Sequence, residues 1–565
     1  MIGGKAELLY DGDEGMAALS PNAYDSLPEY WNARKDLNPT FEMEYHAAPT
    51  DDLKFDDLMY VPHGSMHHFQ DLVSKTYRDI VTQDRLCPNG KCDKTRGGCP
   101  CVQVGGDPGL PSDFQVKRVI RVEESGMFNR YIEKRDQIKK KRVEGAAACE
   151  VPDPPFFTSD WMDKNPKSEL CKLDSSVNEV YLWHGTQVRV GLQIAMNDFN
   201  LTFAGSGAGT MYGKGLYFTE SSTKADEYAK DEPGGHYDGI RALLLCRVCV
   251  GKFYYTQDRE PTAIDKFTTG ESDSTIGDRA KKVNTYREIV VYNEDQVYPE
   301  YLVIYERLHG GAKASSPRAD LPFQLELPLY WKTVGKNPYQ EGFRKHRVVK
   351  HEILELFQRL VDGTCSSKPK VKRVRRVEDS ALWCRYINFK RNLGQTLLEQ
   401  DQKIKPPNEL DGNPQSGHVL TEKILAENRG DHAISVENIQ PGLNEMLLWH
   451  GTTKTAAETI AEEGFMVGTA RHGRRFGTGV YLAEDLKKSL SYCSSSDGTN
   501  YVLLCRATCA HIWYTEKDWD SDADKPAKEA GCSTVLANPG KKGPREYILF
   551  DESQVYPEYI VELEA

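Results

Sequence analysis

Two short stretches of the chain carry residue types that could do chemistry on a nucleotide. The first runs from Tyr181 to Tyr228. It opens YLWHGT, passes through a helix-like segment, and closes on GTMYGKGLYFTESSTKADEY. The second runs from Leu447 to Tyr492, with LLWHGT and then FGTGVYLAEDLKKSLSY. Each places His-Gly-Thr at the end of an apolar run and a Gly-x-Gly-x-Tyr turn about thirty residues on, with a further tyrosine eleven residues beyond. A glycine after the histidine leaves room for a ligand at the backbone, whose N–H and C=O match a carboxamide. Two tyrosines, Tyr217 with Tyr228 and Tyr481 with Tyr492, offer flat faces for a planar ring. The histidines His184 and His450, with Thr186 and Thr452, suit ribose hydroxyls. Glu288 and Glu546 each open an apolar strand, where a carboxylate is costly without a purpose or a partner. A carboxylate beside a sugar stabilises positive charge at the anomeric carbon. The inventory fits a nicotinamide dinucleotide whose glycosidic bond is broken.

The elements that must position these groups occur twice. LPEYW at Leu27 is echoed by LPLYW at Leu327. VKRVIRVEESGMFNRYIEKRDQI from Val116 is echoed by VKRVRRVEDSALWCRYINFKRNL from Val371, and REIVVYNEDQVYPEYLV from Arg287 by REYILFDESQVYPEYIV from Arg545. The offsets drift, which describes a domain duplication rather than a short-period solenoid. The expected organisation is a mobile tail over 1–26, a first unit over 27–309, a small polar linker over 310–326 and a second unit over 327–565. Within the first unit, strands are expected at Val116–Val122, Glu179–Trp183, Leu216–Phe218, Leu243–Val250, Ile289–Tyr292 and Tyr301–Tyr305, and helices at Ser125–Arg142 and Val188–Phe199. Thr223 with Asp226 reads as a capping box for a helix carrying Tyr228. The fold class is α+β, each unit a mostly antiparallel split sheet with flanking helices.

WHGT, YGKGLYF and TYREIVVYNEDQVYPEYLV resemble the catalytic domain of the poly(ADP-ribose) polymerase family, over about Val116–Tyr305 and again over Val371–Glu564. The resemblance implies a catalytic histidine, tyrosine and glutamate at His184, Tyr217 and Glu288, and at His450, Tyr481 and Glu546. It implies that Gly185 and Gly451 hold the nicotinamide carboxamide, that Tyr217/Tyr228 and Tyr481/Tyr492 stack on its ring, and that the glutamates bond the ribose 2′-hydroxyl. NAD would be the substrate, with no metal required. A serine that the family often places on the carboxamide is present as Ser489 but replaced by Ala225 in the first unit. Losing that neutral hydrogen bond is worth about 0.5–1.5 kcal/mol. The acceptors are expected to be proteins, the chain itself included. A non-catalytic NAD-binding or partner-binding scaffold is the alternative, above all for the first unit.

Bulk properties set the remaining expectations. A chain of 565 residues exceeds one ordinary core. Its formal charge of −12 argues against broad tracking of nucleic acid. No apolar run is long enough for a membrane span, and the acidic start lacks the pattern of a secretory signal, so an intracellular site, nucleus or cytoplasm, is expected. Cys87, Cys92, Cys99 and Cys101 read as a reduced loop, with zinc as the alternative. The basic run Lys368–Arg376 could be a nuclear address or a nucleic-acid patch, although it overlaps an expected strand.

Overall fold

The computed structural model describes residues 28, 31, 56–80, 82, 84–85, 110–143, 149–168, 170, 172–203, 211–316, 325–349, 351–400, 403–410, 419–427, 439–467, 475–494 and 498–565. The expected tail, the cysteine loop at 87–101 and residues 317–324 of the expected linker lie outside the described residues. The chain divides into two compact units, one within Asp13–Leu325 and the other within Glu326–Ala565.

Apolar runs build the first unit. The elements are β1 (Asp56–Tyr60), α1 (Met66–Lys75), β2 (Asp113–Glu124), α2 (Ser125–Val143), α3 (Phe157–Lys164), β3 (Glu179–Thr186), α4 (Val188–Asn197), β4 (Leu216–Phe218), α5 (Ser222–Asp226), β5 (Ile240–Cys249), β6 (Phe253–Thr256), α6 (Ile264–Thr268), β7 (Ser274–Asp278), α7 (Arg279–Val283), β8 (Arg287–Val291) and β9 (Val297–Leu308). A five-stranded sheet runs β1-β2-β9-β5-β3 and a four-stranded sheet runs β4-β8-β7-β6. Every pairing is antiparallel except β6 with β7. A single bridge, Trp183 to Thr219, joins the sheets just before His184. Central strands β5 and β9 are buried along most of their length, which is why Leu243–Cys246 and Tyr301–Tyr305 read as apolar runs. Phe69, Phe114, Trp183, Leu243, Tyr301 and Val303 share one core beneath them.

The second unit continues with β10 (Arg344–Val348), α8 (His351–Thr364), β11 (Val371–Asp379), α9 (Ser380–Glu399), α10 (Leu420–Glu427), β12 (Glu445–Thr452), α11 (Lys454–Glu463), β13 (Val480–Ala483), α12 (Leu486–Leu490), β14 (Thr499–Thr508), β15 (Ile512–Thr515), α13 (Asp524–Glu529), β16 (Thr534–Ala537), β17 (Glu546–Leu549) and β18 (Val555–Glu564). Its strands form one sheet, β10-β11-β18-β14-β12-β13-β17-β16-β15. The register puts His450 opposite Leu503, as His184 lies opposite Leu244 in the first unit.

Three expectations change. The His-Gly-Thr triplets do not follow their strands but lie within them, paired through Thr186–Ala242 and Thr452–Tyr501. Thr223 and Asp226 form no capping box: Thr223 Oγ1 accepts from Arg78 N, and Asp226 is a buried acid bound by Arg85, Tyr305 and Arg307. Tyr228 lies just past α5, not on it. Part of the basic run is engaged within its own unit. Arg375 pairs with Glu458 and Glu562, Arg376 with Glu378, and Lys372 donates to Gly498 O and Thr499 Oγ1. Among the described residues, no helix is long and apolar enough to cross a membrane, and no cluster of three metal-ligating side chains occurs.

The QVYPEY motif is architectural. Gln296 Nε2 donates to Cys249 O and Asp273 O, Tyr298 OH donates to Val122 O, and buried Glu300 pairs with Arg247. Gln554, Tyr556 and Glu558 do the same work with Thr508 O, Val377 O and Arg506. These bonds satisfy polar groups that burial would otherwise leave costly.

Candidate active site

His184 projects from β3 where the two sheets meet. Its Nδ1 lies 3.0 Å from the carbonyl of Tyr217 on β4, and His450 Nδ1 lies 2.9 Å from the carbonyl of Tyr481. A carbonyl only accepts, so Nδ1 carries the proton and Nε2 is left as an acceptor in the neutral ring. Burial lowers the pKa of both histidines, which favours that neutral form. Each imidazole also meets an aromatic edge, Phe199 at 5.3 Å and Phe465 at 5.0 Å. The pair of groups can therefore fix a ring whose free nitrogen accepts from a hydroxyl.

The next residue explains the glycine. A Cβ on Gly185 would stand 1.8 Å from the carbonyl oxygen of Ala225, and one on Gly451 would stand 1.7 Å from that of Ser489. The strand thus abuts α5 or α12 backbone to backbone, and the glycine is required by the fold as well as available to a ligand. Thr186 sits farther along, its methyl facing Gly191 of α4.

Tyr217 and Tyr481 are held by the turn that precedes them. Each hydroxyl donates to a glycine carbonyl, Gly213 or Gly477, at 2.8 Å, and accepts from a backbone N–H, Tyr212 or Phe476, at 2.9 Å. Gly213 and Gly477 take φ of +89° and +96°, a region open to glycine. Burial pushes both phenols up to about 12. With its hydroxyl committed and un-ionised, each tyrosine has only a ring face to offer. Tyr228 and Tyr492 are 41% and 40% exposed, high for aromatic side chains and suited to a second wall.

The glutamates stand at the start of β8 and β17, where Glu288 pairs in register with Gly277 and Glu546 with Ala483 and Ala537. Alternation sends the preceding arginine to the opposite face of the strand. There Arg287 clamps Glu220 with bonds of 2.6 and 2.8 Å, and Arg545 clamps Glu484. The clamped acids in turn accept from Phe157 N of α3 and Leu420 N of α10. Facing the site, each glutamate meets a lysine: Lys224 lies 3.4 Å from Glu288, and Lys488 lies 3.2 Å from Glu546. Burial raises the pKa of Glu288, with Lys224 opposing it. Burial presses on Lys488 in the other direction, but the Glu546 carboxylate and Tyr492 outweigh it and its pKa is raised.

The histidine, glycine, both tyrosines and glutamate of each unit are thus linked by short contacts through β4–α5 or β13–α12. Sequence reasoning missed the lysines. Their signal was present, since a lysine falls seven residues after the first tyrosine in both stretches. It also missed Glu422, which burial and the neighbouring Glu484 push up to about 7.

The chain is similar in sequence to known proteins. Over 86 residues the chain is 35% identical to poly(ADP-ribose) polymerase tankyrase of Caenorhabditis elegans, covering 14% of the chain and 4% of that protein. It is 31% identical over 150 residues to poly(ADP-ribose) polymerase 2 of the same organism, covering 26% and 27%. It is 31% identical over 131 residues to protein mono-ADP-ribosyltransferase PARP12 of Mus musculus, covering 23% and 17%. The matches therefore span less than a third of each of these relatives. The family model of the poly(ADP-ribose) polymerase catalytic domain matches residues 107–307 and 351–565, well over half of the sequence. The chain belongs to the poly(ADP-ribose) polymerase catalytic domain family.

Proposed function

We propose that the chain is an NAD-dependent protein ADP-ribosyltransferase built from a duplicated unit, with both units, 27–309 and 327–565, carrying the same donor site and 310–326 linking them. The reading rests on one observation above all. Both units bring a neutral, oriented histidine, a fixed tyrosine face and a lysine-paired carboxylate to neighbouring strands, β3, β4 and β8 or β12, β13 and β17.

In this reading Nε2 of His184 or His450 accepts from a hydroxyl of the adenosine ribose. The backbone at Gly185 or Gly451 holds the nicotinamide carboxamide, with Ser489 adding a bond that Ala225 cannot. The ring lies between Tyr217 and Tyr228, or between Tyr481 and Tyr492. Glu288 or Glu546 accepts from the 2′-hydroxyl of the nicotinamide ribose. Its charge stabilises the oxocarbenium character that develops as the bond to nicotinamide breaks. Nicotinamide leaves with the bonding pair, and a carboxylate or hydroxyl oxygen of an acceptor protein forms the new bond to the anomeric carbon. A hydroxyl acceptor releases its proton. The carboxylate meets the developing charge, so the step needs no metal.

The acceptors include this chain itself, and the reaction is placed inside the cell, in nucleus or cytoplasm. Single ADP-ribose units and chains are both compatible with the retained glutamates. The test uses labelled NAD with wild type, Glu288→Gln, Glu546→Gln and the double variant. Label transfer and nicotinamide release by wild type, abolished in the double variant, support the reading. A scaffold role for the first unit is the second reading, favoured by Ala225. Activity unchanged by Glu288→Gln but abolished by Glu546→Gln would select it.

A further inference from the structure

Around Lys224 the first unit carries acids besides Glu288. The ammonium lies 2.6 Å from Asp84 Oδ2, 3.0 Å from Glu227 Oε2, 3.3 Å from the Tyr228 hydroxyl and 3.4 Å from Glu288 Oε1. Glu288 is thus the most distant of its three carboxylates. Asp84 Oδ2 also accepts from Tyr228 OH at 2.9 Å, and Thr82 donates to Glu227 Oε2 at 2.7 Å. The segment bearing Asp84 is anchored. Arg85 is buried with Asp226 at 2.8 Å and Thr223 O at 3.0 Å, and Arg78 N donates to Thr223 Oγ1 at 2.8 Å. In the second unit Ser491 occupies the position of Glu227. Among the described residues, the ion pair recorded for Lys488 is with Glu546.

We infer that Asp84 is a positioning residue of the first unit: it draws the Lys224 ammonium away from Glu288 and so sets the pH at which Glu288 becomes a carboxylate. This rests on the proposed role of Glu288. The other groups around Glu288 do not supply the effect. Tyr212, Tyr217 and Tyr228 have phenols pushed upward by burial and stay neutral at physiological pH. Arg287 is turned to Glu220, and Asp278, just beyond the partner residue Gly277, accepts from Tyr255 OH and Lys281 N, with Arg279 donating to Gln257 O. The Asp84 and Glu227 charges both raise the pKa of Glu288, while Lys224 lowers it. Removing the Asp84 charge subtracts a like charge and returns the ammonium to Glu288. Both changes favour the carboxylate at lower pH.

The test is the pH dependence of kcat in the full chain carrying Glu546→Gln, so that the first unit alone turns over. Adding Asp84→Asn moves the acid limb to lower pH, and Asp84→Glu leaves it near its original place. A uniform fall in kcat with the limb unmoved would reduce Asp84 to scaffolding and overturn the inference. If the Glu546→Gln chain does not turn over, the transferase reading of the first unit fails. The inference is then decided by infrared titration of the folded chain labelled with carboxyl-13C glutamate, using Glu288→Gln to identify the band. A Glu288 midpoint that falls with Asp84→Asn supports it; an unmoved midpoint overturns it.

Discussion

At the scale of single residues, the contacts make distinct demands on the glycine and the histidine. Gly451→Ala would force a methyl into the Ser489 carbonyl, a backbone atom that cannot swing aside. Overpacking of this kind costs about 1–3 kcal/mol. The variant should unfold at lower denaturant concentration and lose NAD binding, measured by chemical denaturation and calorimetry. His184 and His450 have folded pKa values below the ordinary 6.5. The unfolded chain therefore takes up protons first as pH falls. Stability is retained above about 6.5 and declines below it, and a melting series from pH 8 to pH 5 should show that direction. The spacing of the tyrosines made Tyr217 with Tyr228, and Tyr481 with Tyr492, legible in the sequence as candidate ring faces. Lys224 and Lys488 were not legible as partners of the glutamates, because spacing along the chain does not say which charges meet across two elements.

Elements decide whether those residues stay in place. The Arg287–Glu220 and Arg545–Glu484 pairs tie the strands bearing the glutamates to α3 and α10. Breaking a buried pair from one side costs about 3–5 kcal/mol. Glu484→Gln should therefore lower the stability of the second unit by that order in urea titrations and depress kcat, although it is not expected to touch substrate. Glu422 behaves differently. Its folded pKa of about 7 exceeds the ordinary 4.5, so the folded chain holds a proton that the unfolded chain releases. Stability from this group is present at low pH and lost as pH rises towards 7. Glu422→Gln should raise the melting temperature at pH 8 and change it little at pH 4. Strands such as β5 and β9 were legible because burial leaves apolar runs at Leu243–Cys246 and Tyr301–Tyr305, even though Arg247 and Glu300 are buried within them as a pair. The α5 turn was misread because Thr223 and Asp226 satisfy local capping rules while their partners, Arg78 and Arg85, lie some 140 residues away in sequence. QVYPEY was legible as a family mark, but only the hydrogen bonds reveal that it holds the sheet rather than the substrate.

Over the whole molecule, the family model matches two segments, one in each compact unit, and the corresponding residues differ in detail. Lys224 is surrounded by Asp84, Glu227 and Glu288, whereas Lys488 pairs with Glu546. Ser489 stands in the second unit where the first has Ala225. Two of the six cations in the basic run that resembled an address, Arg375 and Arg376, are held in ion pairs with Glu458, Glu562 and Glu378. The most direct measurement of the central claim is nicotinamide release and label transfer from NAD by wild type and the two glutamine variants. The account predicts that Glu546→Gln lowers the rate of the second unit about 10²–10³-fold and that the double variant is silent. A double variant that transfers label as fast as wild type would contradict it.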